Sequence, residues 1–283
     1  MEIKAADVKA LRDKTGAGMM ECKKALTECN GDEEAAIKLL KEKGLAALEK
    51  RAERATKEGR IFIKVEGAKL VIAELTCETD FVANNADFIA CGEKIVAEAM
   101  AKNITSVTDE LAEMLKDFAA KTRENMSLRR LEMVEIPSDC VMGKYVHSDN
   151  KTGVVVLLKA DPADAASKDE IKTLAYDCCL HIAAFTPAFV KREDVSEAYI
   201  NEQKEIFTAQ VAQDEKMASK PENVKAGIIQ GKINKHLAEI CFMDQVFVKA
   251  ENGETVAKKI EAVAKSNGCK LSVAKVVSYV LGA

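Results

Sequence analysis

A chain of 283 residues is long enough for two or three modest domains, each with its own core. Its 42 lysines and arginines stand against 46 acids, interleaved along the chain, so no concentrated basic face marks it as a nucleic-acid binder. No apolar run reaches the length of a membrane span, the N-terminus lacks a signal-peptide pattern, and nine cysteines follow no framework spacing, which reads as a cytoplasmic protein with reduced thiols.

With no tryptophan, few aromatics and abundant Ala, Lys and Glu, the composition favours helix. Three short helical patterns come first. Val8 and Leu11 share a face in a run that ends at Gly16. Met19, Cys22, Leu26 and Cys29 follow at helical spacing and stop at Gly31. Asp32 is placed to cap a third helix, with Ala36, Ile37 and Leu40 inward and Gly44 as its stop. Such a bundle is marginal alone and suited to packing on something else. Leu45 to Glu58 reads as a charged linker helix, and the most basic stretch, Lys41–Arg60, mixes acids with its bases as a solvated helix does.

From Arg60 the pattern turns to strand. Two β-rich runs flank Glu66-Gly67-Ala68-Lys69, a hairpin turn. Helices are predicted over Asp87–Lys102 and Asp109–Glu124, and a third strand over Arg129–Ile136. The order then repeats. Two strands lie within residues 141–161, a helix follows over Lys168–Phe185, and Cys241–Ala250 is read as the later strand. Between these, residues 191–238 read as an inserted antiparallel helical hairpin, turning at Ser219-Lys220-Pro221. The sum is an α+β chain: a bundle and linker over 1–55, one α+β subdomain over 56–139, and a related one over 140–283.

Catalytic chemistry is sparse. Gly227, Gly231, Lys232 and Ile233 make the nearest approach to a phosphate-binding loop, but with the wrong spacing and no hydroxyl. Cys178, Cys179 and His181 could supply soft zinc ligands, yet adjacent helix cysteines diverge by about 100° and no second Cys/His pair follows. Phe81 stands apart, between Asp80 and an Ala-Asn-Asn turn, where an exposed position is expected rather than a core one. Two readings stay open at this point: a helical binding module with an unrelated core, and a thiol enzyme or redox protein using Cys178 and Cys179.

The segments Leu11–Leu26 (LRDKTGAGMMECKKAL), Thr79–Asn85 (TDFVANN), Glu124–Arg130 (ENMSLRR) and His181–Val190 (HIAAFTPAFV) resemble elongation factor Ts, the guanine-nucleotide exchange factor for elongation factor Tu. They come in that family's order and spacing, and the resemblance covers nearly the whole chain. It implies a ubiquitin-associated-like N-terminal bundle, a duplicated core and a helical hairpin. It implies no catalytic residue, no metal, no cofactor and no direct nucleic-acid or membrane contact, and it leaves the oligomeric state open. Carried over, Thr79, Asp80, Phe81 and Val82 dislodge Mg²⁺ from the partner, with Phe81 as a wedge between partner side chains. Arg12, Met19, Met20 and Lys23 are expected to contact a helix of the partner's nucleotide domain, and Thr122, Arg123, His181, Val248 and Lys249 to supply further contacts. Thr122-Arg123 stands where the family often carries an apolar residue and glycine, and Lys249 where an apolar residue is expected. From the ending SVAKVVSYVLGA the extra C-terminal helical module of longer members is expected to be lacking, which would leave the N-terminal bundle more of the contact.

Overall fold

The computed structural model describes residues 3–49, 51–214 and 220–283. It is α+β, with two three-stranded sheets, and it divides into two compact units. Unit 1 is Met1–Glu135, Val146–Gly153 and Tyr279–Ala283; unit 2 is Ile136–Tyr145 and Val154–Ser278.

Unit 1 opens with α1 (Ala5–Thr15), α2 (Met19–Glu28) and α3 (Glu33–Glu49). Val8, Leu11, Cys22, Ala25, Leu26 and Ala36 form their core. Gly16 ends α1 in the left-handed region at φ 69°, which glycine enters without a Cβ clash. The Asp32 carboxylate accepts the amide of Ala35 at 3.0 Å and caps α3. Gly44 does not stop that helix, which continues to Glu49. A Cβ there would lie 3.2 Å from the Cβ of Ala120, so Gly44 instead lets α3 approach a later helix closely. The linker-helix reading ends at Glu49 as well, since the described residues after it, Arg51–Arg54, are turn and bend.

The sheet of this unit has the order β1 (Glu58–Glu66), β2 (Lys69–Cys77), β3 (Met126–Glu135), all antiparallel. Glu66 pairs with Lys69 across the two-residue turn. On one face of β2, Val71, Ala73, Leu75 and Cys77 pack with Phe88, Ile95, Leu111 and Leu115 of the helices α5 (Ala86–Lys102) and α6 (Asp109–Thr122). The other face carries a fully buried carboxylate, Glu74. A register break between Glu74 and Leu75 inserts one extra residue in β3. Consecutive strand side chains normally point apart, but the bulge lets Arg129 (3.1 Å) and Arg130 (2.5 Å) both reach that one carboxylate. The amide of Gly282 donates to it as well, at 3.0 Å. Buried charge is tolerated here because both carboxylate oxygens have donors in reach, two of them from guanidinium groups.

Unit 2 is built on β4 (Cys140–Val146), β5 (Thr152–Asp161) and β6 (Lys270–Val280), in that order across the sheet. The helix α7 (Asp169–Phe185) and the late helix α10 (Val256–Ser266) share its core through Ile171, Leu174, Cys178, Ile260 and Val263. The third strand is therefore 270–280, not 241–250. Residues 241–250 make a single 3₁₀ turn at Phe242–Asp244 and isolated bridges at Cys241 and Val246. Their backbone groups find partners outside a ladder: the amide of Val248 bonds to a histidine ring, that of Phe247 to the Glu254 carbonyl. The helices α8 (Glu197–Gln213) and α9 (Glu222–Ile240) form the hairpin, its few apolar contacts centred on Val195, Ile233, Leu237 and Cys241. Of its expected turn, Ser219 lies outside the described residues.

Candidate functional site

Thr79–Val82 sits on a short, well-tied turn. Thr79 caps the four-residue helix α4 (Asp80–Ala83) through its hydroxyl, which accepts the amide of Val82 at 3.4 Å. Asn84 closes it by donating to the Asp80 carbonyl at 2.9 Å, and Asn85 caps α5 by accepting the amide of Asp87 at 2.8 Å. The asparagine pair thus ends one helix and starts the next. Phe81 is left 85% exposed on this turn, where an isolated large apolar side chain contributes nothing to the core.

The residue that fastens the turn, Glu124, is one that sequence reasoning passed over. Its Oε2 accepts the amides of Glu78 and Thr79, both at 3.1 Å, and its Oε1 accepts the Thr79 hydroxyl at 2.6 Å. The next residue, Asn125, donates its amide to Glu78 Oε1 at 2.6 Å and its side chain to the carbonyls of Ala52 and Arg54. The residue before, Arg123, donates to Glu21 Oε2 at 2.5 Å, and that same oxygen accepts the Gly18 amide at the start of α2. Three consecutive side chains at the α6–β3 corner therefore hold the Phe81 turn, the linker backbone and the helix that carries Met19 and Met20. Arg123 does so from the left-handed region at φ 62°, a conformation that glycine adopts more easily. Thr122 is turned inward on its helix, its hydroxyl donating to the Phe118 carbonyl at 3.1 Å.

Met20 is 76% exposed and Met19 43%, so both face outward while Cys22 and Leu26 fill the bundle. Arg12 and Lys23 are exposed on the same bundle. A cavity of about 510 Å³ also lies in this unit, lined by Lys24, Leu40, Lys121 and Arg123 among others. Several of the cations around it are already paired, Lys14 with Glu33 and Lys43 with Glu28.

In unit 2, His181 is fully buried rather than presented. Its ring lies 4.8 Å from that of Phe185, 5.4 Å from Phe242 and 6.0 Å, stacked, from Phe247. Nδ1 accepts the Val248 amide at 3.1 Å and Nε2 faces Gln245 Oε1 at 2.8 Å. Burial lowers the pKa of the ring, with the Gln245 bond acting the other way, so the neutral form is favoured. Val246 and Val248 are exposed to either side of buried Phe247, and Lys249 pairs with Asp177 at 2.7 Å. Burial pushes the Cys178 thiol up to about 12 and Cys179 higher still, which holds both protonated and poorly nucleophilic. Among the described residues no group of three or more His, Cys, Asp or Glu is placed to hold a metal ion, and no helix is long and apolar enough to cross a membrane.

The fold and these surfaces define a protein that presents isolated apolar side chains from turns and helices anchored by charged hydrogen bonds. A family model described as Elongation factor TS matches residues 78–283. The chain is 57% identical over 282 residues to Elongation factor Ts of Treponema denticola, covering 100% of this chain and 99% of that protein. It is 48% identical over 293 residues to Elongation factor Ts of Treponema pallidum, covering 100% and 99%, and 39% identical over 272 residues to that of Borreliella burgdorferi, covering 96% of each. The chain belongs to the elongation factor Ts family and works in translation elongation.

Proposed function

We propose that this protein binds elongation factor Tu carrying GDP and promotes GDP release by disturbing the Mg²⁺ and phosphate site, with no covalent chemistry of its own. The observation that supports this most is Phe81, 85% exposed on a turn that Thr79 and Asn84 tie down at its two ends. Such a side chain has no folding role and is ready to enter a partner. Mg²⁺ bridges the nucleotide phosphates to the GTPase and neutralises their charge, so weakening that coordination weakens GDP binding strongly.

Burying one phenylalanine contributes roughly 1.5–3 kcal/mol, about one to two powers of ten. Phe81 therefore supplies only part of the drive. The remainder comes from spread contacts by Met19, Met20, Arg12, Lys23 and the exposed side chains of Val246 and Val248. Exchange is a coupling between two ligands: whatever factor this protein takes from GDP affinity, GDP takes from this protein's affinity. A factor working this way must bind the empty GTPase tightly and the loaded one loosely, which several separated surface contacts allow.

The test is release of fluorescent GDP from elongation factor Tu, with and without the protein, beside Phe81→Ala. Large acceleration that drops ten- to hundred-fold in the variant, with folding intact, supports the wedge. Equal acceleration by the variant moves the drive to the other contacts, and no acceleration by the unmodified protein ends the proposal.

A further inference from the structure

We propose that Gln245 is a positioning residue for exchange: by accepting the Nε2–H of His181 it fixes the tautomer whose bare Nδ1 holds the Val248 amide, and so sets where Val246 and Val248 stand. The inference rests on the proposed function, and it assigns a role to a residue whose side chain is buried.

The proton assignment follows from the bonding groups. A backbone amide can only donate, so Nδ1, 3.1 Å from the Val248 nitrogen, must accept. A neutral imidazole with a bare Nδ1 carries its proton on Nε2, which then donates to Gln245 Oε1 at 2.8 Å. The amide of Gln245 is itself held the right way round, because its Nε2 donates to the Glu239 carbonyl at 2.7 Å. A chain of three bonds thus runs from the last turn of α9, through Gln245 and the ring, to the Val248 backbone.

That chain matters because the ring is the partner of the Val248 amide, whereas the neighbouring positions are held by the Val246–Thr255 bridge, the Ala250 amide on the Phe247 carbonyl and the Lys249–Asp177 pair. Phe247 is buried and anchors its middle, its amide on the Glu254 carbonyl at 2.9 Å. Val246 and Val248 point out, and the Val248 amide depends on the ring. With the other tautomer, Nδ1–H would face the Val248 N–H and the two donors would push apart. His181 is enclosed by Phe185, Phe242 and Phe247, so water cannot readily replace the lost acceptor. His181 acts the same way: it shapes the exposed segment from within.

The experiment separates the two ring nitrogens. An asparagine carboxamide places its oxygen near the position of Nδ1, while a glutamine carboxamide places its nitrogen near Nε2. His181→Asn keeps the acceptor for Val248; His181→Gln keeps the donor to Gln245 and loses that acceptor. Gln245→Met keeps volume and removes the tautomer lock. Each is measured by fluorescent GDP release from elongation factor Tu as a function of factor concentration, by thermal melting, and by hydrogen exchange at the Val248 amide. The expected result is a half-saturating concentration raised about ten-fold in His181→Gln and Gln245→Met, with faster Val248 exchange, and a smaller change in His181→Asn. Wild-type behaviour in all three variants overturns the inference. So does a loss that follows melting temperature alone and is equal for the asparagine and glutamine variants. If the unmodified protein fails to accelerate release, the proposed function falls, while the Val248 amide still reports whether the tautomer lock exists.

Discussion

Replacing Glu124 by alanine removes the acceptor for three donors at once and leaves Phe81 itself untouched. Hydrogen bonds to a charged acceptor contribute about 1.5–3 kcal/mol each, but this turn is half-exposed and water takes over part of the loss, so a total of about 2–4 kcal/mol is expected. Much of that falls on the turn itself, which then samples conformations in which Phe81 points elsewhere. Urea unfolding gives the stability term, and stopped-flow release of fluorescent GDP from elongation factor Tu gives the functional one. At temperatures where the variant is folded, exchange should fall at least ten-fold. Glu124→Gln retains one oxygen for the two amides and an N–H for the Thr79 hydroxyl, so it should cost about 1 kcal/mol and keep most of the activity.

The decisive measurement is the double variant Phe81→Ala/Glu124→Ala. If Glu124 acts by aiming Phe81, its loss matters little once the ring is gone, and the two effects on exchange fall well short of additive. Additive losses would mean that Glu124 serves exchange by a route other than aiming Phe81. Full exchange activity in Glu124→Ala would refute the reasoning, since the turn would be holding its shape without its fastener.

Three further outcomes follow from local geometry. Thr186 ends α7 at φ 41°, a strained conformation for a β-branched residue, and its side chain is exposed. Thr186→Asn should therefore raise stability by about 0.5–1 kcal/mol, read as a higher melting midpoint, and no gain would mean the strain is already relaxed. Arg123→Gly relieves a left-handed arginine but loses an exposed ion pair with Glu21, worth about 0.2–1 kcal/mol. Its global stability should stay within about 1 kcal/mol of the parent, while amides at the start of α2 exchange faster. Cys178 and Cys179, buried and held as thiols, should resist a thiol reagent in the native protein and react only on unfolding. Fast labelling of either would reopen the thiol-enzyme reading.

What the sequence made legible was local, and what it hid was long-range. The hairpin at Gly67-Ala68, the cap at Asp32 and the exposure of Phe81 each depend on residues within a few positions. Glu124 escaped notice because its donors lie 45 and 46 residues away, and a glutamate after a helix looks like any solvated acid. Gly44 looked like a stop because nothing nearby shows that a second helix will lie against it. Cys241–Ala250 looked like a strand because its apolar residues are large and β-prone, yet its amides bond to a ring and a distant carbonyl. The true third strand, Lys270–Val280, is the exception: with seven apolar residues in eleven, four of them valines, KLSVAKVVSYV is strand-like in sequence and was passed over in favour of Cys241–Ala250. His181 is the hardest case. A histidine within an apolar helix can be a surface contact or a satisfied core group, and only tertiary partners distinguish them.

The same partners explain how modest side chains could carry a large coupling. A single phenylalanine or methionine at a contact is worth one or two powers of ten at most, less whatever is lost in ordering it. In this chain that ordering is done in advance. Glu124 and the asparagine pair fix the turn under Phe81, the Glu21–Arg123 pair reaches the start of the helix under Met19 and Met20, and the His181–Gln245 pair fixes the segment under Val246 and Val248. On the proposed mechanism, contacts presented already in place contribute nearly their full burial to the empty GTPase. The loaded form, in which Mg²⁺ and phosphate hold the nucleotide site closed, resists the same rigid surfaces. Rigidity then does more than strengthen binding: a flexible Phe81 turn could bind both forms of the GTPase nearly alike, and a ligand with equal affinity for two states shifts neither.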